Sequence, residues 1–549
     1  MGHHLFFLFA VVAGLLWTAA CTAAAARAKQ GLLKALLAAV GAGLPVVAVL
    51  PVVAATWWLA FGIRMQPSWF PQAITTLLSL LIGGAWIVRS GLVPRDGREA
   101  PAARWPVIGL TALGVVAAAV TAGVLLILDN AVTAQAPYLR LEAANLMEAN
   151  LPPIVVDGEN AASLHLQAGA AIAADKAFDA EDSPIQQEGD VMREEVAVLL
   201  ARHAATLDLV RRAADRDTCR FTRDWTRPSI DMLLQEIQGM RSEGRLLVLA
   251  ARRAAAEGRH ADALADIVRI QRLGRHAASE PILVSYLVGV ALDRLALAEL
   301  TDLLPRLGAD DAPLLESPEA HDLVSRPLDL LPALYGEEAF GLATFAGFAD
   351  GRMAMSEVIG SDQADEVPMI NDFGPIFRTF FLSADIAGYR RLMHDYQQLA
   401  ARRPDPGTEP ATSKQAEALE RKLLAKPPGI LSRLLVPALR SVLQARARDE
   451  ATRRAAATLV AATKQRLATG RLPLEPAAFE GTPPFVLPAD PFAEGGKPLV
   501  MKRGNEGLSV YSIGPDGSDD SGPAAGGEEA AEGNDDVGFV MAIQEADRP

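Results

Sequence analysis

Four apolar stretches, roughly residues 5–23, 36–63, 73–93 and 106–128, constrain this chain more than any other feature. Each is long enough to cross a hydrocarbon core of about 30 Å as a helix. Pro45 and Pro51 predict a kink or tilt in the second stretch, and the backbone hydrogen bonds lost there require packed neighbours. The fourth carries small residues in pairs four apart, Gly114 with Ala118 and Ala119 with Gly123, a spacing compatible with close helix contact.

Lys and Arg alternate between the connecting loops. Arg27, Lys29 and Lys34 lie in the first loop and Arg95, Arg98 and Arg104 in the third, whereas the second offers only Arg64 and the N-terminus none. Positive loops stay in the cytoplasm, so the pattern predicts a multi-pass protein of the bacterial cytoplasmic (inner) membrane with both termini and the large domain outside. No Asp, Glu or Lys lies deep within a stretch. Cargo or proton pathways need such groups, which favours an anchor over a transporter or sensor subunit.

Half of the residues are hydrophobic while the net charge is −14, and the acidity falls after residue 129. Phosphate binding needs a clustered basic surface, so nucleic acid is excluded as a partner. The bilayer and envelope or secretion-system proteins remain as expected partners. The two cysteines, Cys21 and Cys219, are too far apart in kind and place to form a disulfide framework. Cys21 follows "LWTAA", but Thr18 and the lack of a preceding Lys or Arg argue against a lipidation site.

From about 137 to 468, Ala, Leu, Arg and Glu recur at the helical period. "VMREEVAVLLARHAATLDLVRRAAD" predicts one amphipathic helix with Val196, Leu199, Leu200, Leu207 and Val210 buried. "AAAEGRHADALADIVRIQRL" reads as a helical hairpin like that of a tetratricopeptide unit. No second clean copy follows, so a bundle is favoured over a repeat array.

No nucleophile elbow, zinc-protease motif, phosphate loop or paired cysteine motif is present. His203 falls on an apolar stripe and reads as a satisfied core histidine, His260 and His276 read as turn residues, and Cys219 as a small packed hydrophobe. Glu337 and Glu338 in "YGEEAFG" are the carboxylates best placed for raised pKa values. They make a hydrolase site in the irregular 326–380 segment the alternative to a non-catalytic scaffold.

After a helix stopped by Gly470 and Pro473, "KPLVMKR" and "GLSVYSIG" read as strands joined by "GNEG". The succession of helix, "DPF…GKPL", hairpin, "YSIGPDG" and "NDDVG" resembles the globular end of type II secretion major pseudopilins, over roughly residues 447–541. The whole soluble portion is also similar to a recurrent type of large bacterial membrane-anchored envelope protein. The pseudopilin resemblance implies a calcium loop, with Asp516 matching the family's "PDG" aspartate and Asp535 and Asp536 its closing pair. Asp519 and Asp520 are additional oxygen donors for Ca²⁺ without a family match. The family's processing site and single apolar helix are absent, and the loop between Gly522 and Asn534 is lengthened.

The expected fold class is therefore mainly α. A four-helix transmembrane block covers 1–130, an extracytoplasmic helical bundle 131–446, a small α+β pseudopilin-like hairpin module 447–541, and a tail 542–549. The expected function is a non-catalytic scaffold or interaction domain of a secretion- or envelope-related protein.

Overall fold

The structure, a computed structural model, describes residues 127–156, 158–180, 183–185, 190–223, 235–353, 378, 381–402, 415, 417–419, 421, 429, 432–480, 485–504, 507–523 and 534–543. Its main helices are α1 (Ala136–Asn150), α2 (Ala162–Ala174), α3 (Glu194–Arg202), α4 (Ala204–Ala214), α5 (Gln235–Ala256), α6 (His260–Ala278) and α7 (Leu283–Leu303). They continue with α8 (Pro318–Ser325), α9 (Leu331–Ala349), α10 (Leu382–Ala401) and α11 (Ser432–Thr469). Three strands follow, β1 (Val500–Arg503), β2 (Gly507–Ser512) and β3 (Val537–Ala542).

Among the described residues no helix is long and apolar enough to cross a membrane. This corrects the expected fold class with its transmembrane block, and with it the placement as a multi-pass inner-membrane protein. The physical reason lies in the helices themselves. The 38-residue α11 carries Arg448, Asp449, Glu450, Arg453 and Arg454 within two turns, and the apolar α7 carries Asp293, Arg294, Glu299 and Asp302. The stretches 5–23, 36–63 and 73–93, and the fourth up to residue 126, lie outside the described residues.

The chain divides into two compact units, one of residues 1–139 and 344–384 and one of 140–343 and 385–549. In the first, the Arg378 guanidinium pairs with buried Asp129, and the Gln135 amide donates to the Ser383 hydroxyl at 3.3 Å.

The second unit is built on α5, α6 and α7. Gly258 at φ 76° closes the turn between α5 and α6, a conformation that favours glycine. Where α6 meets α7, a Cβ on Gly274 would stand 2.8 Å from the Gly289 carbonyl oxygen, and one on Gly289 2.7 Å from that of Gly274. Only glycine lets the two backbones approach this closely. The helix predicted through 191–215 is broken at His203 (φ −94°, ψ 16°), which separates α3 from α4.

Helix α11 runs against α7 and α8 and carries the sheet on its later turns. The sheet is antiparallel in the order β1-β2-β3, with Val510 opposite Met501 and Phe539, and Leu508 opposite Met541. The two runs read as strands form β1 and β2. The third strand, "VGFVMA", lacks the alternation and turn signals that mark the other two. Leu499, Leu508, Val510 and Met541 belong to the same apolar core as Leu246, Leu297, Leu300 and Leu459, so the sheet and the helical body share one interior.

That interior contains a buried ion cluster. Arg453 of α11 donates to Asp293 of α7, to Asp449 at 3.3 Å and to the Leu323 carbonyl at the end of α8 at 2.8 Å. All three charged side chains are at most 4 % exposed. One guanidinium faces two carboxylates, and burial together with neighbouring Asp293 pushes the Asp449 carboxyl up, so the cluster retains a proton. Replacing Arg453 by Met leaves the buried Asp293–Asp449 pair, which shares one proton and carries one negative charge, uncompensated and is expected to cost about 3–5 kcal/mol in denaturant unfolding. The triple variant Arg453→Met/Asp293→Leu/Asp449→Leu is expected to recover most of that loss, because the cost is uncompensated charge and not lost attraction.

Candidate functional site

A chain of polar side chains from three helices and one loop meets inside the second unit. On α2, Leu164, Ala168 and Ile172 face the core, and His165 lies on the same stripe. On α5 the buried Met240 and Leu247 flank Glu243 at helical spacing. Gly169 and Gly239 bring the two helices together, each Cβ position lying 3.5–3.6 Å from the other's Cα. One turn away along both helices, His165 Nδ1 lies 2.7 Å from Glu243 Oε2.

His165 Nε2 is 3.0 Å from His276 Nδ1 in the last turn of α6, and His276 Nε2 is 2.8 Å from the Arg216 carbonyl oxygen. His276 is therefore a buried helical residue and not a turn residue. Cys219 completes the group from the loop after α4. Asn160 fixes this loop, accepting from the Arg220 N–H at 2.9 Å and donating to the Arg220 carbonyl at 2.8 Å. Ser279 donates to the Cys219 carbonyl at 3.1 Å. Ligand-type atoms of His165, Cys219 and His276 all lie within 4.8 Å of one another.

The hydrogen-bond direction follows from one end. A carbonyl only accepts, so His276 Nε2 carries a proton and its Nδ1, in the neutral ring, accepts from His165 Nε2–H. His165 Nδ1 then accepts in turn, and the donor is a protonated Glu243. The electrostatics agree with this neutral arrangement. Burial pushes the Glu243 carboxyl well up, and it holds both histidines down at about 3, helped at His165 by the nearby Arg216 cation and at His276 by His165. Burial, reinforced by Glu280, pushes the Cys219 thiol up. Glu280 is balanced by Arg223 at 3.1 Å, which also reaches Glu236 at 3.3 Å. The four central side chains can hold and relay protons among themselves, and three of them have the donor types of a transition-metal site.

The two other histidines singled out in the sequence, His203 and His260, are paired. His203 lies 3.0 Å from Asp175 and edge-on to Phe178, and His260 lies 2.8 Å from Asp311. The five aspartates read as calcium ligands are held by protein donors. Asp519 accepts from Lys502 and Tyr511, both at 2.8 Å, and Asp535 pairs with Arg448 at 3.3 Å. Asp516 accepts from the Ser518 N–H at 3.0 Å, Asp520 from that of Asp535 at 3.1 Å, and Asp536 from that of Gly522 at 2.7 Å. Among the described residues, His165, Cys219 and His276 form the group that gathers three such donors, and these aspartates do not. The "DPF" turn has a structural task. Asp490 is buried and accepts from Ser512 Oγ at 2.6 Å, Phe492 N at 2.8 Å and Ile513 N at 3.0 Å, closing the turn onto the end of β2.

Sequence reasoning did not single out His165 or Glu243. The signal that marks both is a titratable residue on the buried stripe of an otherwise apolar helix face. Glu337 and Glu338 lie on α9, where Glu338 accepts from Gln397 at 2.7 Å and the Glu337 carbonyl accepts from Tyr389 at 2.7 Å. Burial raises the Glu337 carboxyl to about 7.

A carboxyl raised in the folded state favours folding fully below its unfolded value of about 4.5 and loses that contribution as pH rises through about 7. Wild-type stability is thus expected to fall by about 1–3 kcal/mol between pH 4.5 and 7.5 through this group, and the Glu337→Gln variant to lack that slope in paired denaturant titrations. No family model, no curated protein and no solved structure matches this chain.

Proposed function

We propose that this chain is a non-catalytic scaffold that presents a pseudopilin-like sheet to a protein partner from a rigid helical body. The observation that carries the reading is the continuity of the core. Leu508, Val510 and Met541 of the sheet are buried with Leu459 of α11 and Leu297 of α7 in one cluster. A sheet built into the body in this way is held in a fixed orientation, which suits presentation and not independent movement. The group richest in chemistry points inward. His165, Glu243, His276 and Cys219 are each at most 5 % exposed, which suits a clamp more than a substrate site. The net charge of −14 favours protein over nucleic acid as the partner.

A hydrolase reading retains one supporting observation, the partly buried Glu337 carboxyl titrating near neutrality, where an acid or base is most useful. The two readings separate in cells. In-cell crosslinking with mass spectrometry is expected to return one reproducible partner from the wild type and from the Glu337→Gln/Glu338→Gln variant. The same partner is expected to be lost in Asp490→Ala, which frees the end of β2. No reproducible partner, or its loss in the double Glu variant with an unchanged melting temperature, would overturn the scaffold reading.

A further inference from the structure

The geometry points to a transition-metal site in which His165 Nε2, His276 Nδ1 and Cys219 Sγ ligate a borderline dication of the Zn²⁺ class. The two inner nitrogens are 3.0 Å apart. A tetrahedral ion with bonds of about 2.0–2.1 Å to nitrogen and 2.3 Å to sulfur sets ligand separations of about 3.4 Å and 3.6 Å. The imidazoles need to open by only a few tenths of an ångström, and the thiol to close from within 4.8 Å.

The outer nitrogens are arranged as metal-bound histidines require. A ligating imidazole donates its second N–H to a carboxylate or a backbone carbonyl, which fixes its tautomer and orientation. Here the partners are Glu243 Oε2 at 2.7 Å and the Arg216 carbonyl at 2.8 Å. A second observation is independent of the ligands: Glu243 Oε1 is fully buried and has no hydrogen-bond partner. An orphaned carboxyl oxygen is costly in a purely structural core, whereas a carboxylate behind a metal-bound histidine is stabilised by the cation.

The charge balance closes. Without metal, the four side chains are neutral and hold four protons, on Glu243, on His165 Nε2, on His276 Nε2 and on the thiol. When a dication binds, the thiol proton leaves, the His165 Nε2 proton leaves, and the Glu243 proton moves to His165 Nδ1. Two protons are exchanged for two positive charges, so the buried site is neutral before and after. The N₂S donor set suits Zn²⁺, Co²⁺ or Cu ions and not Ca²⁺ or Mg²⁺. The site would tie α2, α6 and the loop after α4 together. This deepens the scaffold reading, which stands or falls on partner crosslinking and not on metal content.

The test uses the purified full chain. After expression with added zinc, elemental analysis is expected to give about one equivalent per chain. After chelator treatment, Co²⁺ is expected to produce an intense thiolate-to-cobalt band in the near ultraviolet and to raise the melting temperature by about 5 °C at saturating metal. The Cys219→Ser variant is expected to lose the band, and His276→Gln to lose at least about tenfold in cobalt affinity, both with unchanged helical circular dichroism. Should either variant fail to fold, the wild-type band and metal content decide alone. A folded wild type without bound metal and without the cobalt band would overturn the proposal, as would a band that persists in Cys219→Ser.

Discussion

The second unit depends on one buried guanidinium. Arg453 reaches from the middle of α11 to a carboxylate on α7, a carboxyl on its own helix and the last turn of α8. The Leu323 carbonyl that it meets also accepts from Gln271 of α6 at 2.9 Å, so four helices converge on one polar point. Apolar packing alone is tolerant of small slides between helices, because many arrangements bury similar area. A buried cation with fixed acceptors is not, since every displaced arrangement leaves a charge uncompensated. The register of α11 against α7 therefore sets the position of everything that α11 carries.

What it carries is the C-terminal sheet. Thr463 of α11 donates to the Met541 sulfur at 3.5 Å, and the apolar side of β2 rests on the same helix. Asp490 then anchors the connecting turn to the far end of β2 through three hydrogen bonds. Sheet, helix and turn are held by contacts of different kinds at separate points. In the proposed scaffold, a partner meeting the outer strands would meet a surface whose orientation is already fixed, which lowers the ordering cost of association. The His165–Glu243 pair ties α2 to α5 beside the loop bearing Cys219.

Much of this was legible where the signal is local. Gly470 and Pro473 mark the end of α11, and the glycine there takes φ 70°. The turn-rich "GNEG" between two short apolar runs marks the β1–β2 hairpin, and the Ala/Leu period marks the helices. Non-local features were not legible. The His165–Glu243 and His165–His276 contacts join residues 78 and 111 positions apart, and no spacing rule links them. His203 sits where the helical period continues unbroken, and its bond there is to Asp175, 28 positions away. The apolar stretches before residue 127 favoured a membrane reading that the described helices, charged along their length, do not carry. In the C-terminal loop, Lys502 and Tyr511 hold Asp519 and Arg448 holds Asp535, contacts that a sequence does not reveal.

The central claim is that the helical body and the C-terminal sheet are one cooperative unit. Native-state hydrogen exchange on the full chain tests it most directly, because it reads the opening free energy of each segment separately. The account predicts that the slowest amides of Leu297 in α7, Leu459 in α11 and Val510 in β2 exchange through a common global opening with the same free energy. A β2 amide that exchanges through a sub-global opening more than about 2 kcal/mol easier than that of α7 would contradict it.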